Sequence, residues 1–297
     1  MSGKARRVLV IGGNRFAGRM AAGLLSDMPG VEVAVLNRSG TGPDDVRAFR
    51  ADRNAELGSV LRDFRPDCLI DFAAYTPTQA ERACDLTSAN GIHYVHISSA
   101  SAYPPNGEPH AEHAPLTPHE GWGDYGREKA LADECVRTRK PDATILRPAY
   151  FIGPDNPIRR CTLLFDRIAG GEPLPIPYDG SALIQTVHPQ DLARAAIVAG
   201  RMRAAGPINI ACAEPTSIAN FYHLCVELVG EMAAKPAQIM QTDEFAEAYD
   251  ENRWPFPGLP MRLDTTRCTQ ELGVVCRPTP VSVREAHQTW LKHRIER

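Results

Sequence analysis

The stretch "VLVIGGNRFAGRM", Val8 to Met20, runs from a short apolar segment through a glycine cluster into residues with helical apolar spacing. It reads as strand, tight turn, helix, an arrangement that aims backbone amides at an anion such as a pyrophosphate. Gly12, Gly13 and Gly18 permit close approach, with Asn14 and Phe16 in the same loop. Arg15 stands where a G-x-x-G-x-x-G cradle carries its middle glycine.

Outward from this stretch, apolar runs suited to buried parallel strands recur as "VEVAVL" (31–36), "DCLIDF" (67–72), "HYVHIS" (93–98), "ATILR" (143–147) and "PINIA" (207–211). Helical spacing fills 17–28, 55–64, 78–89 and 124–139 between them. The alternation predicts an α/β fold, a doubly wound parallel sheet covered on both faces, with its ligand crevice at the carboxyl ends of the strands. After about residue 150 the chain becomes rich in proline and glycine ("GPDNPIRR", "GGEPLPIPYDG"), and from 216 helices dominate. A nucleotide-binding domain is expected over 1–150, completed by about 181–212. A smaller C-terminal lobe that caps the substrate is expected over 151–180 and 213–297.

The 297 residues carry 33 basic and 36 acidic side chains, so no global basic field draws the protein to nucleic acid or an anionic membrane. The first apolar run is far too short to span a bilayer or to serve as an export signal. Eight cysteines without a C-x-x-C pair read as reduced thiols, and the expected location is cytoplasmic. Residues 103–123 form a long loop holding His110, His113 and His119. With no strand or helix to preorganise them, these are read as loop residues and no metal is expected. Trp254 in "NRWPFPGLP" reads as packing or as pocket lining.

The second apolar run ends "VLNRSG", placing Asn37 and Arg38 where NAD-specific folds of this type carry an acidic residue for the ribose 2′-hydroxyl. A guanidinium there suits a 2′-phosphate. Arg15 and Arg38 facing one adenosine ribose would favour NADP over NAD as cofactor. "DYGREKA" sets Tyr125 and Lys129 four residues apart on one helix face. A nearby ammonium favours phenolate, about 1.4 kcal/mol for each pH unit of lowering, and such a tyrosine serves as general acid or base. "HISSASAY" delivers Ser98, Ser99 and Ser101 to the same sheet edge, where a hydroxyl can hold a reacting oxygen.

With these pieces in order, the chain resembles an extended short-chain dehydrogenase/reductase, an atypical member with a GGxRFxG loop. The likeness runs through "GGNRFAG", "ADRN" (51–54), "DFAAY" (71–75), "SSASAY", "YGREK", "LRPAYFIGP" (146–154) and "VHPQDLARA" (187–195). It implies a Rossmann sheet and a nicotinamide cofactor contacted by the glycine loop, by Asp52 at the adenine, by Ala73, Ala74 and Tyr75 at the nicotinamide end, and by Pro148. It implies Tyr125 as acid/base, Lys129 on the nicotinamide ribose and the tyrosine, and Ser99 as the substrate-orienting hydroxyl. The helix carrying Tyr125 often forms a homodimer interface in this family.

Departures bear on the substrate. Sugar-nucleotide enzymes of the family carry an arginine where "SALIQTVHPQD" has Ile184, which leaves Arg159, Arg160 or Arg262 to replace it. Ala100 and Ser101 stand where sugar dehydratases have an Asp-Glu pair, so dehydration is disfavoured. The leading expectation is hydride transfer at a secondary alcohol or ketone carbon of a sugar nucleotide or similar small polar metabolite, by a reductase or an epimerase. The alternative is a non-enzymatic relative that senses a dinucleotide or associates with RNA.

Overall fold

Seven parallel strands form the central sheet of the computed structural model, which describes residues 6–116, 122–230, 239–242 and 255–296. They are β1 (Arg6–Ile11), β2 (Val31–Asn37), β3 (Arg47–Arg50), β4 (Cys68–Asp71), β5 (His93–Ile97), β6 (Thr144–Pro148) and β7 (Gly206–Ile210). Their order is β7-β6-β5-β4-β1-β2-β3, so the winding reverses between β1 and β4. A crevice opens above such a reversal, at the carboxyl ends of the strands.

Both faces of the sheet are buried, which is why β1 and β2 are continuous apolar runs. Val8, Val10, Val33 and Val35 point into one apolar cluster, and Leu9, Ile11, Ala34 and Leu36 into another. The helices are α1 (Phe16–Ser26), α2 (Arg53–Phe64), α3 (Pro77–Ala89), α4 (Gly123–Arg139), α5 (Arg160–Gly170), α6 (Pro189–Met202), α7 (Ile218–Val229), α8 (Thr266–Gln270) and α9 (Thr279–Ile295). Ala17, Ala22 and Leu25 of α1 join Leu192, Ala195 and Ala199 of α6 on the first face. Residues of α2, α3 and α4 fill the second. A third cluster, built around Phe165, Phe221, Phe256 and Trp290, forms the core of the C-terminal helical lobe.

The six apolar runs are six of the seven strands. The seventh, β3, reads "RAFR" and pairs only with β2. An edge strand needs no run of apolar residues, and charged ends protect it from pairing further. The loop holding His110 and His113 contains a short bridge, Pro109–His110 against Arg262–Leu263. His110 is buried, stacks 4.7 Å from the Tyr103 ring and bonds the Pro104 carbonyl, whereas His113 is exposed. His119 and Trp254 lie outside the described residues. No helix among the described residues is long and apolar enough to cross a membrane.

His93 shows how burial ties this sheet to pH. Its Nε2 lies 3.0 Å from Thr144 Oγ1, and burial, helped by the Arg203 charge, pushes its pKa from 6.5 down to about 4. In that interval the unfolded chain binds the extra proton and the folded chain does not, so stability is complete above pH 6.5 and falls as the pH drops toward 4. His93→Gln keeps a hydrogen-bonding group near Thr144 without the titration. Urea midpoints measured across this window should fall less steeply with acid in the variant, and an unchanged slope would remove His93 from the account.

Candidate active site

At the head of β1 the Gly12 amide donates to the Leu36 carbonyl at 3.0 Å, fixing the start of the loop beside β2. A Cβ at Gly18 would lie 2.3 Å from the Gly12 carbonyl oxygen, so α1 seats against the loop only because that residue has no side chain. This close seating leaves the α1 amides facing the crevice, and the loop fits a dinucleotide pyrophosphate. Arg15 has φ −141° and ψ 154°, an extended backbone open to any residue. The backbone conformation therefore does not require glycine at the middle position. The strained residue is its neighbour Phe16, at φ 47°, which packs edge-on to Phe151 at 5.1 Å.

The loop after β2 is tied to this one. Asn37 Oδ1 accepts from Ser39 Oγ and the Gly40 amide, both at 2.8 Å, and its amide donates to the Thr41 carbonyl at 2.7 Å. Asn14 Nδ2 then donates to Ser39 Oγ at 3.2 Å, joining the two loops. Arg15 and Arg38 each sit one residue from that bridge. Both are exposed, and neither guanidinium has a hydrogen-bond or ion-pair partner among the described residues. Asp52 caps α2 by accepting from the Asn54 amide at 2.8 Å and lies exposed near the end of β3.

On the far side of the reversal, Ala73, Ala74 and Tyr75 follow β4, with Ala74 buried and Tyr75 51% exposed. Buried Pro148 ends β6. The start of α4 is set by Trp122, whose indole donates to the Tyr103 carbonyl at 2.8 Å. A Cβ at Gly126 would lie 2.3 Å from Trp122 Cβ and 2.8 Å from the Ser101 carbonyl oxygen. The missing side chain lets α4 dock on the Ala100–Ala102 turn, which brings Tyr125 to the Ser99 hydroxyl. Ser99 Oγ also accepts from the Ser101 amide at 3.1 Å, whereas Ser98 Oγ is buried with no partner among the described residues.

Lys129 is buried beneath the same edge. Its Nζ donates to the carbonyls of Ala74 at 2.8 Å and Ile97 at 2.9 Å and lies 4.8 Å from the centre of the Tyr75 ring. Burial lowers its pKa to about 8, with Asp71 acting against the fall. Tyr125 differs from the sequence expectation. The residue is 51% exposed, yet desolvation by its surroundings raises its pKa, while the Ser99 hydrogen bond and the Arg160 charge pull it down. The tyrosine therefore holds its proton at neutral pH. The i, i+4 spacing puts both residues on one helix face, yet the ammonium is aimed at two carbonyls.

Ile184 is fully buried. Of the three arginines considered in its place, Arg262 bonds the Gly107 carbonyl and Arg159 pairs with Asp166. Arg160 is buried, stacks 4.6 Å over the Tyr150 ring and bonds the Pro255 carbonyl, and its charge reaches Tyr125. A cavity of about 580 Å³ between α5 and α9 contains none of Ser99, Tyr125 or Lys129 in its lining. The convergence of side chains, rather than this cavity, marks the site. Sequence reading missed Trp122 and a buried Arg53–Asp71 pair; the only signal was an aspartate, Asp71, inside the apolar run "DCLIDF".

A glycine turn opening a helix at the sheet reversal, with serine, tyrosine and lysine at neighbouring strand ends, defines an extended short-chain dehydrogenase/reductase. The chain belongs to the NAD dependent epimerase/dehydratase family, whose model matches residues 8–211. A probable dTDP-4,6-dihydroxy-2-methyloxan-3-one 4-ketoreductase of Streptomyces antibioticus is 27% identical over 231 residues, spanning 70% of this chain and 76% of the relative. The fold is shared with dTDP-glucose 4,6-dehydratase from Bacillus anthracis in complex with NAD (TM-score 0.79, 17% identity, 98% of each chain). It is also shared with UDP-glucose 4-epimerase from Thermotoga maritima with UDP-glucose (TM-score 0.77, 18% identity, 97% of this chain and 99% of that one).

Proposed function

We propose that the protein is an NAD(P)-dependent oxidoreductase or epimerase acting at a secondary alcohol or ketone carbon of a sugar nucleotide or similar polar metabolite, with NADP(H) favoured. The observation that carries this reading is Tyr125 against Ser99 at the strand edge where Lys129 is buried. Gly12, Asn14, Phe16 and Gly18 would hold the pyrophosphate, and Arg15, Asn37 and Arg38 the phosphorylated ribose. Asp52 would meet the adenine. Ala73, Ala74, Tyr75, Lys129 and Pro148 would border the nicotinamide end. When bound, the dinucleotide supplies the hydride donor or acceptor. Ser99 orients the substrate oxygen, and Tyr125 gives or takes its proton.

With its pKa above the ordinary value of a tyrosine, Tyr125 is protonated at neutral pH, the state that proton donation to a developing alkoxide in ketone reduction requires. The ketoreductase relative supports the same direction. The lobe formed by 151–180 and 213–297 is taken to select the substrate, with the positive charge of Arg160 facing the reacting end. Reduction of a dTDP-linked keto sugar with NADPH tests the reading directly.

The cofactor preference has its own test. Arg38→Asp removes a partner for a 2′-phosphate and adds a repelling charge, so NADP affinity should fall by about 10- to 100-fold while NAD affinity holds or rises. Equal loss of both dinucleotides, or none, would overturn this role for Arg38.

A further inference from the structure

Beneath the Ala73–Tyr75 turn lies a buried polar cluster for which the reaction has no direct use. Asp71, at the end of β4, is fully buried and takes hydrogen bonds from Arg53 Nη1 at 2.9 Å, the Ala73 amide at 2.9 Å and the Tyr94 hydroxyl at 3.2 Å. Arg53, 8% exposed on α2, also donates to the Gln79 carbonyl at 3.1 Å. The Tyr94 hydroxyl oxygen, its proton on Asp71, also lies 3.3 Å from His96 Nδ1, from which it can accept, and His96 Nε2 has no partner among the described residues. The turn held by Asp71 through the Ala73 amide is the one whose Ala74 carbonyl holds Lys129.

A charge pair this deep is costly unless its geometry is exact and its remaining valences are filled, and removing one member alone leaves an uncompensated buried charge. Here the pair lies below the only buried ammonium of the candidate site. We propose that Arg53 and Asp71 are positioning residues for Lys129, with Asp71 as its buried counter-charge across the Ala73–Ala74 turn and Arg53 as the opposing charge that limits it. This rests on the reading of Lys129 as the lysine of the dinucleotide site.

The other groups facing Lys129 leave this pair as the adjustable one. Asp133, on the same helix, is held at two points by Arg147 at 2.8 and 2.7 Å. His96 is kept neutral, its pKa forced well below the ordinary value by burial and by the Lys129 charge itself. Tyr75 offers a ring face and no charge. On Lys129 the two members act in opposite senses, Asp71 favouring the ammonium and Arg53 disfavouring it. Lys129 thus sits within reach of neutrality, where a modest field change decides how much of it is charged.

The chain has five lysines, at 4, 129, 140, 235 and 292, so side-chain carbon signals of isotopically labelled lysine can be resolved and Lys129 assigned by its loss in Lys129→Arg. The midpoint of that signal is read against pH in the full chain without substrate. Asp71→Asn should move it down by about one pH unit, Arg53→Met up by a similar amount, and the double variant back toward wild type. A purely structural pair would not give opposite signs, so shifts in the same direction, or no shift in either single variant, would overturn the proposal. Should Asp71→Asn fail to fold, Arg53→Met and the double variant still isolate Asp71, whose removal must lower the midpoint. The titration needs no turnover. Opposite shifts alongside full turnover by Tyr125→Phe would sink the proposed reaction and leave the pair standing, whereas shifts in one direction with a Tyr125-dependent reaction would do the reverse.

Discussion

Tyr125→Phe is expected to lower reduction of a dTDP-linked keto sugar by about 100- to 10,000-fold while dinucleotide affinity stays within about twofold. The change deletes one oxygen, at the atom that lies against Ser99, and leaves the ring where α4 carries it. Lys129 keeps both of its carbonyl partners, so the dinucleotide side of the site is untouched. The loss should therefore appear in kcat, with KM changing little. Ser99→Ala should act on the same step, and the double variant should cost less than the product of the two, because in the proposed reaction both hydroxyls serve one substrate oxygen. Full turnover by Tyr125→Phe would remove the tyrosine from the chemistry. The acid role also carries a sign: with its pKa above the ordinary value for a tyrosine, Tyr125 stays protonated across neutral pH, so reduction should lose rate only on the alkaline side.

What the sequence disclosed and what it hid divide along physical lines. Strand and helix alternation was legible because both faces of the sheet are buried, and burial on two faces writes itself as continuous apolar runs. β3 left no apolar run to read, because an edge strand is under no such demand. Spacing placed Tyr125 and Lys129 on one face of α4 but could not say where Lys129 points. That is decided by the carbonyls of Ala74 and Ile97, which arrive from two other strand ends. The direction of the Tyr125 pKa was hidden for the same reason, since desolvation depends on the whole surrounding shell. Arg15 stands where the middle glycine is expected, and its extended backbone makes no conformational demand for one.

Asp133→Asn should destabilise the fold by about 3–5 kcal/mol, a large share of the roughly 5–15 kcal/mol that holds a domain together. Arg147 is fully buried on β6, with Nε and Nη2 on the two Asp133 oxygens, and Nη1 on the Tyr103 hydroxyl at 2.5 Å and the Glu112 carbonyl at 2.9 Å. Burial works against its charge, but Asp133 more than offsets it, so the guanidinium holds its proton above the ordinary value. Asparagine keeps the shape and removes the counter-charge, and an arginine cannot escape by deprotonating. Thermal unfolding should shift down by about 6–20 °C. Replacing both members with apolar residues of similar volume, as in Asp133→Leu with Arg147→Met, should recover more than half of the loss, because no buried charge then lacks a partner. If the double variant is as unstable as the single one, the pair is held for the Tyr103 and Glu112 hydrogen bonds rather than for charge balance. Asp133 lies one helical turn after Lys129, so the same bidentate contact that stabilises the core also fixes α4 on β6, and with it the height at which Tyr125 and Lys129 meet the strand edge.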